Sequence, residues 1–307
     1  MKSKWMIALV AAIFLGTASI ALSHPSSGIV VNEQGEVFFV HSTRGVAKFT
    51  VDGKLTYVHT STGGHWLCLD PQGSFSRTQP RHFKRITPDG VSPAVIFADG
   101  GAPIAAAQDG SLYYGSSGEK NNDDEPGALA LSRLSPDGTA RAFAPKLKEA
   151  MAKAHVGITG LAAGPDRSLY VATAPTIFKI GMDGTVTVLV ERPEVKDCDP
   201  NPPPDGLPGF QGLAVTTDGT VYAAATGCRV VLKISPQGMY KTMLKPEKPW
   251  SPTSVAIHAD ELYVLEWTNP NDSPETGWRP RVRKVARDGS ATTLVTVQED
   301  VRPNRDR

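Results

Sequence analysis

From Gly28 onward the chain alternates short β-rich apolar runs with polar turns, and the alternation repeats. A basic residue, an apolar residue, two more residues and then Asp-Gly or Gln-Gly recur six times: Lys48 to Gly53, Arg85 to Gly90, Arg133 to Gly138, Lys179 to Gly184, Lys233 to Gly238 and Lys284 to Gly289. Upstream of each lies a second turn (Gln34-Gly35, Gln72-Gly73, Asp109-Gly110, Asp166-Arg167, Asp218-Gly219, Asp260-Glu261), followed by an aromatic residue: Phe38, Phe75, Tyr113, Tyr170, Tyr222 or Tyr263. Glycine accepts the positive φ that tight hairpin turns require. Each unit therefore reads as strand, tight turn, aromatic strand, loop, basic strand, tight turn, strand.

Four antiparallel strands per unit make a propeller blade, and no blade buries both faces alone. The expected fold is all-β: a six-bladed β-propeller of four-stranded antiparallel blades, preceded by a signal peptide. The blades fall at about 28–58, 65–97, 103–143, 158–190, 212–244 and 253–297. A single propeller domain over 24–307 accommodates this length. The ring is expected to close between complete blades 6 and 1, with no strand before Gly28.

In such a meander the first and third turns of each blade share one end, and the remaining connections share the other. The first end carries only tight glycine turns. The second carries every insertion: Ser116 to Gly127, Pro145 to Gly157, Glu191 to Phe210 and Trp267 to Pro280. Long loops on a rigid scaffold are where function concentrates, so this loop face is the expected functional face. The stretch Lys146 to Lys153 has helix-forming composition and is expected to form a short helix at the rim. Trp267 to Pro280 reads as a wall or lid whose removal leaves the propeller folded.

The N-terminus changes the picture of where the chain works. Lys2 and Lys4, an apolar run from Met6 to about Ala21 and the small-residue end Ala21-Leu22-Ser23 form a secretory signal, residues 1–23. A secreted or periplasmic protein is expected, with no membrane insertion after cleavage. Removal of that segment takes away two of the 32 Lys and Arg and none of the 31 Asp and Glu, leaving a mature net charge of −1. That balance gives no attraction for phosphate backbones, so nucleic acid is not an expected partner. Three cysteines permit at most one internal bridge. Cys198, between blades 4 and 5, and Cys228, in the second loop of blade 5, both lie on the loop face in neighbouring segments and are expected to pair. Cys68 reads as a buried small hydrophobe.

The six repeats, together with phrases such as Gly-Leu-Ala-Val-Thr-Thr-Asp-Gly-Thr-Val-Tyr (212–222), resemble the NHL-repeat propellers. More distantly the chain is similar to the gluconolactonase and senescence-marker-protein group of calcium-dependent hydrolases. That resemblance implies Glu, Asn and Asp ligands for a hard cation at the mouths of the inner strands. The corresponding positions are Ser27, His65, Ala102, Thr159, Gln211 and Thr253, with no carboxylate among them. Histidine offers a different set, since similarity to NHL-type lyases implies zinc held at such places. His41, His59 and His65 are the candidate metal ligands, zinc or calcium the candidate cofactors, and His155 lies on the same face. The simpler reading of these histidines is local hydrogen bonding in loops. His82 and His258 belong to strands, and His24 becomes a copper chelator only if cleavage exposes it. The acidic stretch Asn121 to Glu125 reads as a solvated loop.

Aromatic residues form the other constellation. Trp250, Trp267 and Trp278 border the mouth of blade 6, and Trp66 that of blade 2, with His41 and Arg44 between them once the ring closes. Arg44, Trp66, His155, Trp267, Trp278 and Arg279 are the candidate ligand-binding residues, suited to a small molecule, glycan or peptide. Packing between blades is the competing reading for Trp66 and Trp267. His41, His65 and Glu266 are the candidate catalytic residues. Two functions remain: a ligand-binding or scaffold propeller acting through its long-loop face, and a metal-dependent hydrolase or lyase on the same face.

Overall fold

The computed structural model describes residues 26–61, 64–73, 83–98, 103–116, 130–154, 157–196, 198, 209–274 and 277–298. The segment read as a signal, and His24 with it, lies outside the described residues. So do Phe75, His82, Ala102, Asn121 to Glu125 and His155.

Six antiparallel sheets follow one another along the chain. Blade 1 consists of β1 (Ile29–Val31), β2 (Val37–His41), β3 (Gly45–Phe49) and β4 (Leu55–His59), and blade 2 of β5 (Trp66–Asp70), β6 (Phe83–Arg85) and β7 (Ala94–Ala98). Blade 3 contains β8 (Ile104–Ala106), β9 (Leu112–Ser116), β10 (Ala130–Leu134) and β11 (Ala140–Ala142), and the predicted helix follows as α1 (Pro145–Ala154). Blade 4 contains β12 (Gly160–Ala163), β13 (Leu169–Ala172), β14 (Thr176–Ile180) and β15 (Val186–Glu191). Blade 5 contains β16 (Phe210–Val215), β17 (Val221–Ala225), β18 (Val230–Ile234) and β19 (Tyr240–Leu244). Blade 6 contains β20 (Trp250–His258), β21 (Glu261–Thr268), β22 (Pro280–Val285) and β23 (Ala291–Thr296). Blades 1, 3, 4, 5 and 6 are four-stranded meanders. No strand precedes Ile29 among the described residues, and the Thr253 hydroxyl of blade 6 donates to the Ser26 carbonyl at 2.7 Å where the ring closes onto blade 1.

The sequence repeat has a physical basis in cross-strand triads. Lys48 lies directly opposite Phe38, Arg133 opposite Tyr113, Lys179 opposite Tyr170, Lys233 opposite Tyr222 and Lys284 opposite Tyr263. In each pair the cation sits over the ring, 5.6 to 5.9 Å from its centroid. Four of the five cations also pair with a carboxylate at or beside the first turn: Glu36, Asp109, Asp166 or Glu261.

Blade 2 departs from the expected meander. β7 pairs with β5 on one side and β6 on the other, so the strand order is β5-β7-β6 and three strands are described. Ala94–Ala98 is apolar throughout and fully buried, which suits an interior position, whereas Phe83–Arg85 exposes Lys84 and suits the outside. Arg85 lies opposite Ile96 across the sheet, and no ring among the described residues lies under it. It donates instead to the carbonyls of Thr87, Pro88 and Val91 in its own hairpin.

The core divides into six clusters, one in each gap between neighbouring blades. Period-2 alternation assigns the faces: Tyr263, Leu265 and Trp267 of β21 turn toward blade 1, while Leu262 and Val264 turn toward blade 5. Gly160 and Gly212 let the inner strands approach closely. A Cβ on Gly160 would fall 2.0 Å from the Gln211 carbonyl oxygen, and one on Gly212 would fall 2.0 Å from Ser254 Oγ.

Candidate functional site

Buried polar side chains gather where the inner strands open on the loop face. His41, Ser42, Arg229, Ser251, Thr253, Glu266, Thr268, Asn269 and Arg281 are all buried. A buried polar group costs free energy unless it is hydrogen-bonded, so each of these positions is an investment in specific geometry.

The mouth of the channel is a hydrogen-bonded rim running through blades 5, 6, 1 and 2. The Ser27 hydroxyl donates to Gln211 Oε1 at 2.9 Å, linking blade 1 to blade 5 across the opening. The Thr226 hydroxyl donates to the Pro252 carbonyl at 2.7 Å, and the Ser251 hydroxyl to the Thr226 carbonyl at 3.1 Å. The Ser27 N–H donates to the His65 carbonyl at 3.2 Å. Blade 4 adds Thr159, whose hydroxyl is buried with no hydrogen-bond partner among the described residues. Of the six mouth positions read from the sequence, the five described ones carry hydroxyl, amide or imidazole groups and no carboxylate.

The long loops over this rim are braced. Cys198 and Cys228 form a disulfide, with Cα atoms 4.4 Å apart. Cys228 ends a short 3-10 turn, and the next residue, Arg229, adopts a left-handed conformation with φ 55°. Its guanidinium is buried and its Nη2 lies 2.6 Å from Asp272 Oδ2 in the blade 6 loop. The connection between blades 4 and 5 and the second loops of blades 5 and 6 are thereby joined. Arg229 and Asp272 were not among the residues singled out from sequence; the adjacent Cys228 is the one local signal, and nothing in the sequence marks their pairing.

The aromatic constellation is not a single concavity. Trp267 is buried in the gap between blades 6 and 1, its ring 5.6 Å from that of His41, with Tyr57 6.2 Å from the same imidazole. Arg44 lies over Tyr57 at 5.8 Å, and the half-buried Trp278 packs against this cluster. The Arg279 N–H donates to the Thr268 hydroxyl at 2.7 Å in the same loop. Trp66, in contrast, packs into the gap between blades 2 and 3. Trp250 stacks under Arg281, 4.2 Å from the guanidinium carbon. Buried rings wedged between blades have no free face, so Trp66 and Trp267 serve packing.

Glu266 follows its strand's alternation to the opposite side of blade 6 from Trp267. It is fully buried and ion-paired with Arg281, with Arg283 Nη1 3.7 Å away, and Glu247 closes the group at 2.6 Å from Arg281. Burial pushes the Glu266 carboxyl up, and Arg281 and Arg283 oppose it. The enclosure suits a charged packing element rather than an exposed general base.

His41 is also enclosed. Burial, reinforced by the nearby positive charge of Arg44, lowers its pKa from 6.5 to about 4. Its Nδ1 accepts from the Thr43 N–H at 3.4 Å, which leaves the proton of the neutral ring on Nε2. His59 lies against Phe97 in the gap between blades 1 and 2, with ring centroids 5.2 Å apart. A bulge between Val46 and Ala47 shifts the register of β4, turning His59 to the side of blade 1 opposite His41. The trio His41, His59 and His65 therefore does not converge, and no group of three or more His, Cys, Asp or Glu among the described residues could hold a metal ion.

The chain matches no protein-family model and no curated protein. Among solved structures it is similar to a luciferin-regenerating enzyme, with TM-score 0.55 and 16% identity over 89% of this chain and 93% of that one. It is similar to the calcium-binding protein regucalcin from Agrobacterium tumefaciens, with TM-score 0.54 and 14% identity over 83% and 90%. It is also similar to a gluconolactonase from Xanthomonas campestris, with TM-score 0.51 and 18% identity over 79% and 84%. At these identities the likeness is one of fold: a six-bladed β-propeller.

Proposed function

We propose that this propeller is exported and binds a neutral ligand rich in hydroxyl or amide groups, a small molecule, glycan or peptide, at the loop-face mouth of its channel. The observation that carries the reading is the composition of that mouth. Ser27, Thr159, Gln211 and Thr253 line it with neutral hydroxyl and amide groups, and the Thr159 hydroxyl has no hydrogen-bond partner among the described residues. With its carbonyl oxygen taken by Ser27, Gln211 has its amide N–H groups to offer. A site built from such groups selects ligands that satisfy them, because a buried polar group left unpaired costs about 1–3 kcal/mol.

Calcium binding, named for one of the structural neighbours, does not fit these residues. Calcium sites draw on carboxylates as well as neutral oxygens, and the described mouth supplies none.

Export is supported by the apolar N-terminal segment and by the disulfide, which belongs to an oxidising compartment. No helix among the described residues is long and apolar enough to cross a membrane.

The test is a thermal-shift screen of mature protein against sugars, oligosaccharides, amides and peptides, run with EDTA and again with calcium. The expected result is a neutral ligand that raises the melting temperature equally in both buffers and does so less in Gln211→Ala. A ligand that is turned over, or that binds only with calcium, would support the hydrolase or lyase alternative and overturn this reading.

A further inference from the structure

At the tight-turn face, opposite the loops, each inner strand turns one apolar residue toward the channel at or next to its end: Val31, Leu69, Ala106, Ala163, Val215 and Ile257. Each belongs to, or packs against, a different one of the six inter-blade clusters. Together they surround a cavity of about 430 Å³, within the range of small-molecule sites. All but Val31 retain some exposure. The six-blade ring leaves this channel open, and apolar surface left in water there forgoes its burial energy until something covers it.

The rim of this funnel is rigid and polar. Pro71, Pro93 and Pro165 fix φ at three points around it. The Ser92 hydroxyl donates to the Pro71 carbonyl at 3.2 Å, and the Gln72 amide to the Gln108 carbonyl at 2.8 Å. Among the described lining side chains the one carboxylate is Glu33, on the first turn of blade 1. Glu33 and His258 also line an adjoining pocket in the gap between blades 1 and 6. Neighbouring acids in that sector are already taken, Glu36 by Lys48, Asp260 by Arg287 and Glu261 by Lys284. Glu33 has no ion-pair partner among the described residues.

We propose that the funnel is a separate ligand site that takes a small amphiphile, its apolar body filling the six-residue ring and its ammonium group resting on Glu33. The site lies on the face opposite the loop-face mouth, so either reading stands or falls without the other. The apolar ring supplies affinity in proportion to chain length, and the unpaired carboxylate selects a cation at the head.

The probes are the n-alkylammonium ions from butyl to octyl, titrated calorimetrically into the mature protein. Saturable binding is expected to tighten about fourfold per added methylene until the ring is filled. Glu33→Gln, an exposed and fold-neutral change, should weaken the ammonium series about threefold to fivefold and leave the alcohol of the same chain length unchanged. Ala106→Leu and Ala163→Leu, each checked by thermal melting, fill the ring from different blades and should abolish binding of the longer chains. Absence of saturable binding, affinity indifferent to chain length, or an undiminished ammonium affinity in Glu33→Gln would overturn the proposal.

Discussion

Asp272 reaches from the long loop of blade 6 to the buried guanidinium of Arg229 in blade 5, its Oδ2 2.6 Å from Nη2. The sequence reading treats this loop as a removable wall; the ion pair makes it a structural brace. Taking away one partner of a buried pair leaves a desolvated charge, at a cost of about 3 kcal/mol. Asp272→Ala is therefore expected to lower stability by about that amount in urea denaturation, and deletion of residues 270–277 should do the same or worse. A loss under about 0.5 kcal/mol would show that the pair is replaced by solvent.

The disulfide closes a loop with a sequence separation of 30 residues. In the chain-entropy description this contributes roughly 3–4 kcal/mol. Cys198→Ser with Cys228→Ser should lower the urea midpoint accordingly. Burial pushes the Cys68 thiol well above its ordinary range and keeps it from reacting. Alkylation should label no cysteine in native protein and Cys68 alone after unfolding without reductant.

His41 predicts a pH dependence. Its folded pKa of about 4 lies below the ordinary 6.5, so the unfolded chain binds the proton first. The contribution is complete above about pH 6.5 and is lost as pH falls from there to about 4, amounting to roughly 3 kcal/mol. Denaturation at pH 7.5 and 4.5 should show a drop of that order in the wild type and a smaller one in His41→Phe. Equal drops would remove His41 from the account.

Asp166 has the same sign and a different cause. Burial alone would raise its carboxyl, but hydrogen bonds from Lys179 and Ser168 outweigh that and hold it at about 2. Its stabilisation is present above the ordinary value and is lost as pH falls through about 2. Because both partners are substantially exposed, Lys179→Ala should cost under about 1 kcal/mol while returning the Asp166 carboxyl toward 4 in an NMR titration.

The ring of blades was legible because its repeat records chemistry: a cation opposite an aromatic, near a turn carboxylate, seen in five blades as Lys48, Arg133, Lys179, Lys233 and Lys284. Arg85 carries the same motif but lies opposite Ile96 among the described residues. The full burial of Ala94–Ala98 outweighed the turn pattern and moved the basic strand outward. The site was less legible, since neighbouring residues such as Glu266 and Trp267 point to opposite sides of one strand. The bulge at Val46 and Ala47 likewise turns His59 away from His41, an event that no spacing in the sequence announces.

The central claim is that the neutral rim around Gln211 binds ligand, and calorimetric titration of the strongest neutral screening hit into wild type, Gln211→Ala and Thr159→Val tests it most directly. Saturable binding is expected to weaken about tenfold in each variant, the loss of one well-satisfied hydrogen bond, with each variant confirmed folded by thermal melting. Equal affinity in all three proteins would contradict it.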